Sequence, residues 1–281
     1  MKILAIGHSI LDHFEGQEEI IKPGGLYYTS LGLTPLKRRD DRVYLLTGIN
    51  ESFRHLFEKA YNNCELVYSN ELDDLPEVFL KLNGLNERKE IYKNISQPLK
   101  IDSIEDWNIF DGILINMITG FDITIEQLKY VRKQYSKLIY FDVHTLSRGL
   151  DEMGNREFRP IPRIEEWLEC IDILQCNENE IQCLYKGEEN DIAKRILESG
   201  VKMLILTKGR NGATIYWDSS DLQKLHQDAV EVEEKNSIGC GDIFGATFFY
   251  SYILGDDIST ALKKSIITAA NVVNNKFFVN G

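Results

Sequence analysis

Short apolar runs recur along the chain and alternate with segments whose apolar residues are spaced as on one face of a helix. Continuous apolar runs of this length are typical of parallel strands that are buried on both faces. The predicted strands are 1–7, 42–48, 112–117, 138–143, 172–177 and 203–209. The predicted helices are 52–64, 124–136 and 190–200, the last of which stops at Gly200. This alternation indicates an α/β fold with a mostly parallel sheet.

Two regions depart from this alternation. Residues 211–217 and 229–234 alternate apolar and polar positions after an Asn-Gly pair, which predicts hairpin strands at a sheet edge. Segments of about 12–24 and 86–99 fit poorly into a core, and we expect them to form a small sheet that stands off the main body as a lid. The length of 281 residues suits one large domain, so we assign 1–281 to a single domain.

Composition narrows the partners and the compartment. The formal net charge is −12 at pH 7, which disfavours a nucleic-acid partner because such proteins are normally basic. Five cysteines are scattered without a CxxC pair or zinc spacing, as expected in a reducing compartment. No window approaches the ~20 continuous apolar residues of a membrane span, and the first apolar run has no cleavage site after it. We therefore expect a cytoplasmic protein without a membrane partner.

The segment 235–249, KNSIGCGDIFGATFF, places small residues directly before an apolar helix. A helix that begins near Gly239 leaves its first N–H groups unpaired, and its dipole favours an anion such as phosphate. Asp242 falls in the first turn, where a carboxylate beside such a backbone is placed for proton transfer during phosphoryl transfer. The alternative is an ordinary turn followed by an acid that only favours the helix start.

This segment resembles the second signature of the ribokinase-like (PfkB) family of carbohydrate and nucleoside kinases, usually written D-T-x-G-A-G-D. The positions that differ from the signature are Asn236, Ser237 and Cys240. Gly239, Gly241 and Asp242 match it. The resemblance implies that Asp242 is the catalytic base. It also implies that the backbone of 238–241, including Gly239, Cys240 and Gly241, forms an anion hole for the transferred phosphoryl group.

The acceptor side of the resemblance lies near the N-terminus. The segment ILAIGHSILD (3–12) resembles the family's opening strand and loop, which end in a substrate-binding aspartate, here Asp12. KPGG resembles the first family signature, in which a Gly pair, here Gly24 and Gly25, lies against the substrate. His144 stands in place of the Asn of the family's D-x-N-x-R element and is a candidate contact to substrate or phosphate.

The residues after the Gly pair depart from the family, in which N-A-A-N is common. This chain has Leu26, Tyr27, Tyr28 and Thr29, so the polar side chain usually available to sugar hydroxyls is missing. The two tyrosines either stack on a substrate ring or belong to the core. The departure leaves the substrate open among a sugar, a modified sugar and a nucleoside.

The donor side of the resemblance lies in the C-terminal half. CNENE matches the N-x-x-E element, which implies that Asn177 and Glu180 organise Mg²⁺ and phosphate through water, with Glu180 as the metal residue. LTKGRNGATIY (206–216) matches the T-x-G-x-x-G nucleotide strand and turn. A late helix, 267–278, is expected to border the adenine by chain order alone. The residues expected at ATP are Asn177, Thr207, Lys208, Gly209, Gly212 and Asn271.

Together these motifs predict a ribokinase-like α/β fold with helices on both faces of the sheet and a small β lid. The predicted activity is ATP- and Mg²⁺-dependent phosphorylation of a hydroxyl on a small sugar-like acceptor. A nucleoside kinase and a non-catalytic nucleotide or metabolite sensor on the same fold are the alternatives. Dependence on a monovalent cation stays open, as does a homodimer that pairs through the lid.

Overall fold

The computed structural model describes residues 1–14, 20–82, 88–95, 97–231 and 238–273. The strands are β1 Lys2–Ile6, β2 Ser9–Phe14, β3 Ile20–Gly25, β4 Arg42–Leu46, β5 Gly48–Ile49, β6 Asn70–Glu71, β7 Glu77–Leu82, β8 Arg88–Lys93, β9 Gly112–Asn116, β10 Leu138–Asp142, β11 Arg148–Leu150, β12 Arg156–Phe158, β13 Ile173–Asn177, β14 Met203–Thr207, β15 Ala213–Trp217 and β16 Gln223–Gln227. The α-helices are α1 Leu26–Leu33, α2 Glu58–Tyr61, α3 Ile125–Gln134, α4 Ile164–Leu168, α5 Glu178–Leu184, α6 Glu189–Glu198, α7 Cys240–Ile253 and α8 Ile258–Val273. Within these ranges no helix is both long enough and apolar enough to cross a bilayer.

The central sheet has the strand order β16-β15-β14-β13-β10-β9-β1-β4. The strands from β14 to β4 are parallel, and β15 and β16 are added antiparallel at one edge. Because parallel strands are covered on both faces, their runs are apolar throughout, and all five residues of β9 are buried. The predicted α/β class with a mostly parallel sheet is confirmed.

The two faces of the sheet pack against two groups of helices. In β1, Leu4 and Ile6 belong to the core that includes α3 to α6, whereas Ile3 and Ala5 belong to the core that includes α1, α2, α7 and α8. This alternation follows from the two-residue repeat of a strand. Helix α7 lies deep in the second core, which explains why its sequence is apolar on all sides.

A second sheet, which we call the lid, has the order β3-β2-β7-β8. It includes parts of the two stretches in which the sequence indicated a small separate sheet, although residues 15–19, 86, 87 and 96 of those stretches lie outside the described residues. The hairpin β11–β12 adjoins the lid, since the N–H of Tyr92 in β8 donates to the carbonyl of Gly154, at 2.9 Å.

Two local predictions were wrong. The hairpin after β14 returns through β16 at 223–227 rather than through 229–234, of which 232–234 lie outside the described residues. Asp218 accepts hydrogen bonds from Ser220 in the turn, so the return strand starts early, and its exposed edge position allows the polar sequence QKLHQ. The expected helix 52–64 is instead a 3₁₀ segment, 51–57, followed by α2.

Candidate active site

The candidate site lies at the edge of the central sheet where the parallel strands end. Asn116 ends β9 and pairs in register with Asp142, which ends β10. Asn177 ends β13 and pairs with Thr207, which ends β14. Ligands of open α/β sheets bind at this carboxyl edge, so these four polar residues line the expected position.

Helix α7 begins at this edge with a turn that only glycine fits well. Gly239 precedes the helix with φ of 74°, a left-handed conformation that costs other residues energy. A side chain at Gly239 would overlap the ring of Tyr28. A side chain at Gly241 would meet nothing closer than the Nε2 atom of Gln175, at 3.9 Å. The backbone at Gly241 is therefore approachable, as an anion hole requires, and Cys240 is the first residue of the helix.

Asp242 lies in the first turn of α7 and is buried, with 8% of its surface exposed. Its Oδ1 atom accepts a hydrogen bond from the Nδ2 atom of Asn116 at 2.7 Å. The same Nδ2 atom donates to the hydroxyl of Thr29 in α1, at 3.1 Å. Because Asn116 holds one carboxylate oxygen, Oδ2 is the oxygen left to accept a proton. The sequence analysis gave Asn116 no role.

A second hydrogen-bonded group fixes α7 on the sheet. The Nε2 atom of Gln175, in β13, donates to Oδ2 of Asp142 at 2.7 Å and to the carbonyl of Gly241 at 3.2 Å. The hydroxyl of Tyr140 donates to Oε1 of Gln175. A side chain at Gly245 would overlap that same Oε1 atom. Gln175 and Asp142 were also missed, although a glutamine inside the apolar strand DILQCN was a signal that could have found them.

Three carboxylates interact at this edge. Burial raises the pKa of Asp142 well above its ordinary value, and the charges of Glu180 and Asp242 raise it further. Burial also raises the pKa of Glu180, and the charges of His144 and Arg148 offset only part of that rise. The charged forms of Asp142 and Glu180 are therefore disfavoured in the protein alone, and a cation bound at this edge would favour them.

Asn177 and Glu180 form a reciprocal cap at the start of α5. The Asn177 side chain accepts from the N–H of Glu180, and the Glu180 carboxylate accepts from the N–H of Asn177, both at 2.9 Å. This contact fixes Glu180 close to the carboxylates of Asp142 and Asp242. His144 has φ of 34° and interacts electrostatically with Glu180, so it lies near this cap, and its contact with substrate or phosphate stays a prediction.

The expected nucleotide turn follows β14. Thr207 is the last residue of the strand, and the N–H of Lys208 donates to the carbonyl of Gly212 at 2.8 Å, which closes the turn. Both Gly209 and Gly212 have positive φ, of 53° and 85°. The Nζ atom of Lys208 lies 2.8 Å from both carboxylate oxygens of Glu189, so this ammonium is already paired within the protein.

Asn271 lies in α8, and residues 274–278 of the predicted late helix lie outside the described residues.

The acceptor residues lie together at the start of the lid. Asp12 of β2 pairs with Lys22 of β3, and its carboxylate lies directly over Gly24, where a Cβ atom would be 2.6 Å from the Asp12 Cγ atom. Gly25 has φ of 63°, and a Cβ atom there would lie 2.9 Å from Cγ2 of Ile118. The Gly pair is thus required by the close approach of Asp12 at one position and by backbone conformation at the other.

The two tyrosines after the Gly pair belong to the core. Tyr27 and Tyr28 are 7% and 4% exposed and pack edge to face with ring centroids 5.5 Å apart. The ring of Tyr28 lies on Gly239. Of the two readings of these residues, stacking on a substrate ring is not supported by this packing.

The described residues fit indirect binding of Mg²⁺, through water and the phosphates of ATP. Among them, no group of three His, Cys, Asp or Glu side chains is arranged to hold a metal ion directly. Mg²⁺ commonly keeps several waters and is bound through one or two carboxylates and the phosphates of the nucleotide. The charge at Asp142, Glu180 and Asp242 fits this indirect mode.

Comparisons with known proteins agree with the fold. Residues 135–276 match the family described as pfkB family carbohydrate kinase, which is just over half of the chain. A deoxyribokinase of Salmonella typhi is 32% identical over 84 residues, which are 30% of this chain and 26% of that protein. A fructosamine kinase of Bacillus subtilis is 23% identical over 290 residues, which cover 96% of this chain and 90% of that kinase. The structure of an Arabidopsis thaliana ribokinase complexed with ribose and ATP gives a TM-score of 0.75 at 18% identity, over 99% of this chain and 93% of that one.

The fold is therefore a ribokinase-like α/β fold. The chain belongs to the pfkB family of carbohydrate kinases. The chain spans about a quarter of the length of the deoxyribokinase.

Proposed function

We propose that the protein transfers the γ-phosphoryl group of ATP to a hydroxyl of a small sugar or sugar-like acceptor, with Asp242 as the general base. The observation that carries the proposal is the buried Asp242 carboxylate in the first turn of α7, directly after the approachable backbone of Gly241. A base and an anion-binding helix start on the same turn are the two parts that phosphoryl transfer needs.

The acceptor lies between Asp12, Gly25 and Asp242 in this mechanism. The Oδ2 atom of Asp242 takes the proton of the reacting hydroxyl as its oxygen attacks the γ-phosphorus, and the bond to the β-phosphate oxygen of ATP breaks. The N–H groups at the start of α7 donate to the equatorial oxygens of the phosphoryl group, over which negative charge spreads. Asn116 keeps the carboxylate turned so that Oδ2 faces the acceptor.

Mg²⁺, when bound, neutralises the charge of the phosphates. Glu180 and Asn177 lie at the end of β13, and their reciprocal cap keeps the Glu180 carboxylate in a fixed place beside the donor. Thr207, Gly209 and Gly212 provide the turn along which the nucleotide lies. Lys208 reaches a phosphate only by leaving Glu189, so it contributes less than the turn itself.

A sugar acceptor is supported by the relatives, whose names specify a deoxyribose, a fructosamine and a ribose. The fructosamine kinase aligns along almost the whole chain, including the acceptor side. A nucleoside kinase is the second candidate, since solved structures of the same fold include both a ribokinase and a nucleoside kinase. A homodimer that pairs through the lid stays a prediction, and the edge strand β3, in which Ile20 is 51% exposed, is the surface that it would use. A cytoplasmic location also stays a prediction.

The test is an ATP-consumption assay over sugars, fructosamines and nucleosides, for the wild type and for Asp242→Asn. The variant removes the base while it keeps the side-chain shape, so turnover should fall by ~10²-fold or more. ATP should still bind, as measured by its thermal shift. Asp102→Asn, at an exposed site, is the matched control and should keep full turnover.

Two results would oppose the proposal. Full turnover by Asp242→Asn would show that Asp242 is not the general base. Thermal stabilisation by ATP and an acceptor, without any transfer between them in the wild type, would favour the sensor alternative, because a bound ligand stabilises by mass action without chemistry. Preference for nucleosides over all sugars would select the second candidate.

A further inference from the structure

The hairpin β11–β12 lies between the lid and the loop after β9. Arg156, the first residue of β12, is partly buried there. Its guanidinium carbon lies 4.1 Å from the ring centroid of Tyr92, in the lid strand β8. Its Nη1 atom donates to the carbonyl of Arg148 at 3.2 Å, and its Nη2 atom donates to the carbonyl of Thr119.

Arg156 has no acidic partner among the described residues. The two acids whose charges reach it are occupied elsewhere. Glu90 pairs with Arg148 at 3.0 Å, and Asp122 pairs with His8 at 2.9 Å. The Nε atom of Arg156 is buried and makes no hydrogen bond. Burial lowers the pKa of Arg156, and the neighbouring acids do not restore it. This part of the structure therefore has a cation that is incompletely neutralised.

Arg156 is related to the acceptor residues through Tyr92, on which it stacks. Asp12, Val78 and Tyr92 occupy paired positions on adjacent lid strands, so their side chains share one face of the lid. Two strand spacings separate Asp12 from Tyr92, which is about 10 Å. Ile118, in the loop after β9, contacts residues at both ends of this separation. Its side chain lies against Gly25, and its carbonyl accepts a hydrogen bond from the Tyr92 hydroxyl at 3.5 Å.

We propose that Arg156 binds an anionic group, a carboxylate or a phosphate, carried by the acceptor about 10 Å from the residues that hold its reacting end. This inference rests on the proposed function and names a class of acceptor for the same site: a sugar extended by an anionic substituent. Each Nη atom carries two N–H bonds and uses one of them for a backbone carbonyl, so the remaining Nη N–H bonds are the donors to the oxygens of the group. Neutral sugars leave this cation without a counter-ion and bind more weakly.

A purely structural role for Arg156 makes a different prediction. In that case the two carbonyl contacts only fasten the hairpin to the body, and loss of the arginine lowers the melting temperature and affects all acceptors equally. In the proposed role, the loss acts on KM for anionic acceptors alone. Arg156→Lys separates the two, because lysine keeps the charge but cannot reproduce the fork of donors to both carbonyls.

The experiment compares matched acceptors: fructose with fructose phosphate, and fructosyl-glycinamide with fructosyl-glycine. The phosphate and carboxylate arms distinguish the two anions. For Arg156→Gln, KM for the preferred anionic acceptor should rise about 10-fold, the cost of one charged hydrogen-bonded contact, while kcat and KM for ATP stay within about 2-fold. Arg156→Lys should recover part of the loss. Arg195→Gln is the control, since Arg195 also stacks on a tyrosine, Tyr185, at 3.7 Å, but lies in α6.

Thermal shifts given by each compound alone keep this inference separable from the kinase activity. Anionic compounds that stabilise the wild type but not Arg156→Gln, without ATP consumption, support the anion site and refute the proposed function. Phosphorylation of the neutral member of each pair as efficiently as the anionic one overturns the anion site and leaves the kinase standing. A loss in Arg156→Gln that is equal for both members, with a lower melting temperature, also overturns it.

Discussion

The donor side and the acceptor side of the site are held by different parts of the chain in different ways. On the proposed donor side, the groups expected to meet phosphate are backbone atoms at the start of α7 and in the turn after β14. On the proposed acceptor side, the groups expected to bind the acceptor are the side chains of Asp12 and Arg156. The family match of residues 135–276 includes the whole donor side and leaves Asp12 outside.

The glycines of the two sides have different reasons to be glycine. Gly239 has φ of 74° and Tyr28 against it, so both conformation and space forbid a side chain. Gly24 has no positive φ, and only the Asp12 carboxylate excludes a Cβ atom there. A backbone site is thus defined by conformation and tolerates little change, whereas a side-chain site can be rebuilt for another acceptor.

Among these variants, Gly239→Ala should have the largest effect on activity, and it acts on the donor side. The new methyl group would overlap the ring of Tyr28 and force the turn from its left-handed conformation, so the N–H groups of α7 would move away from the phosphoryl position. We expect kcat to fall by ~10²-fold, the usual cost of losing oxyanion donors. Stability should fall by ~1–3 kcal/mol because of the strained backbone, measured by denaturant unfolding.

Gly200→Ala is the matched control for that variant. Gly200 also has positive φ, of 106°, but no atom lies within 4 Å of a Cβ atom there. It should lose stability with unchanged kcat. Equal losses of stability in both variants, with full activity in Gly239→Ala, would show that the turn of α7 does not hold the transferred group.

Gly24→Ala is the corresponding change on the acceptor side, with a smaller expected effect. The methyl group would displace the Asp12 carboxylate, but this side chain can rotate, and the backbone is not strained. KM for the acceptor should rise about 10-fold, as expected from one weakened charged contact, while KM for ATP is unchanged. Initial rates over both substrates measure this split. A rise in KM for ATP alone would place Asp12 on the donor side instead.

The sequence predicted the parts of this molecule that depend on local pattern. Buried parallel strands are apolar throughout, and the start of α7 requires small residues at fixed spacing, so both were visible in the chain. The turn before β16 shows the limit. Its return strand lies exposed at a sheet edge, where no burial pattern marks it, and it was placed too late in the chain.

The side chains that hold Asp242 and the start of α7 could not be predicted, because their contacts join distant segments. Asn116 and Asp242 are 126 residues apart, and Gln175 and Gly241 are 66 residues apart. A single polar residue in an apolar strand indicates a polar contact at that point of the sheet. Only the folded structure shows that the partner of this contact is the start of α7. The tyrosines were undecided for the same reason, since their partner Gly239 lies far along the chain.

Asp142→Asn should have the smallest effect. It tests whether burial and the charges of Glu180 and Asp242 make an ionised Asp142 destabilising. Burial and the charges of Glu180 and Asp242 raise the pKa of Asp142, so the folded protein binds a proton there more tightly than the unfolded chain does. The stability from this group is complete below the ordinary carboxyl pKa and is lost as pH rises through the raised value. Removing the charge should therefore stabilise the protein at pH 8 by ~1 kcal/mol, or about 2–4 °C in melting temperature.

The gain from Asp142→Asn should vanish near pH 3, below the ordinary carboxyl pKa, where wild-type Asp142 is largely protonated in both states and asparagine still offers an oxygen to Nε2 of Gln175. Melting temperatures from pH 3 to pH 8 measure the difference, with Asp102→Asn as a control that should show no pH-dependent gain. A loss of stability at every pH would mean that the Gln175 contact outweighs the repulsion. The donor side would then be a rigid hydrogen-bonded edge rather than one that awaits a cation to relieve its charge.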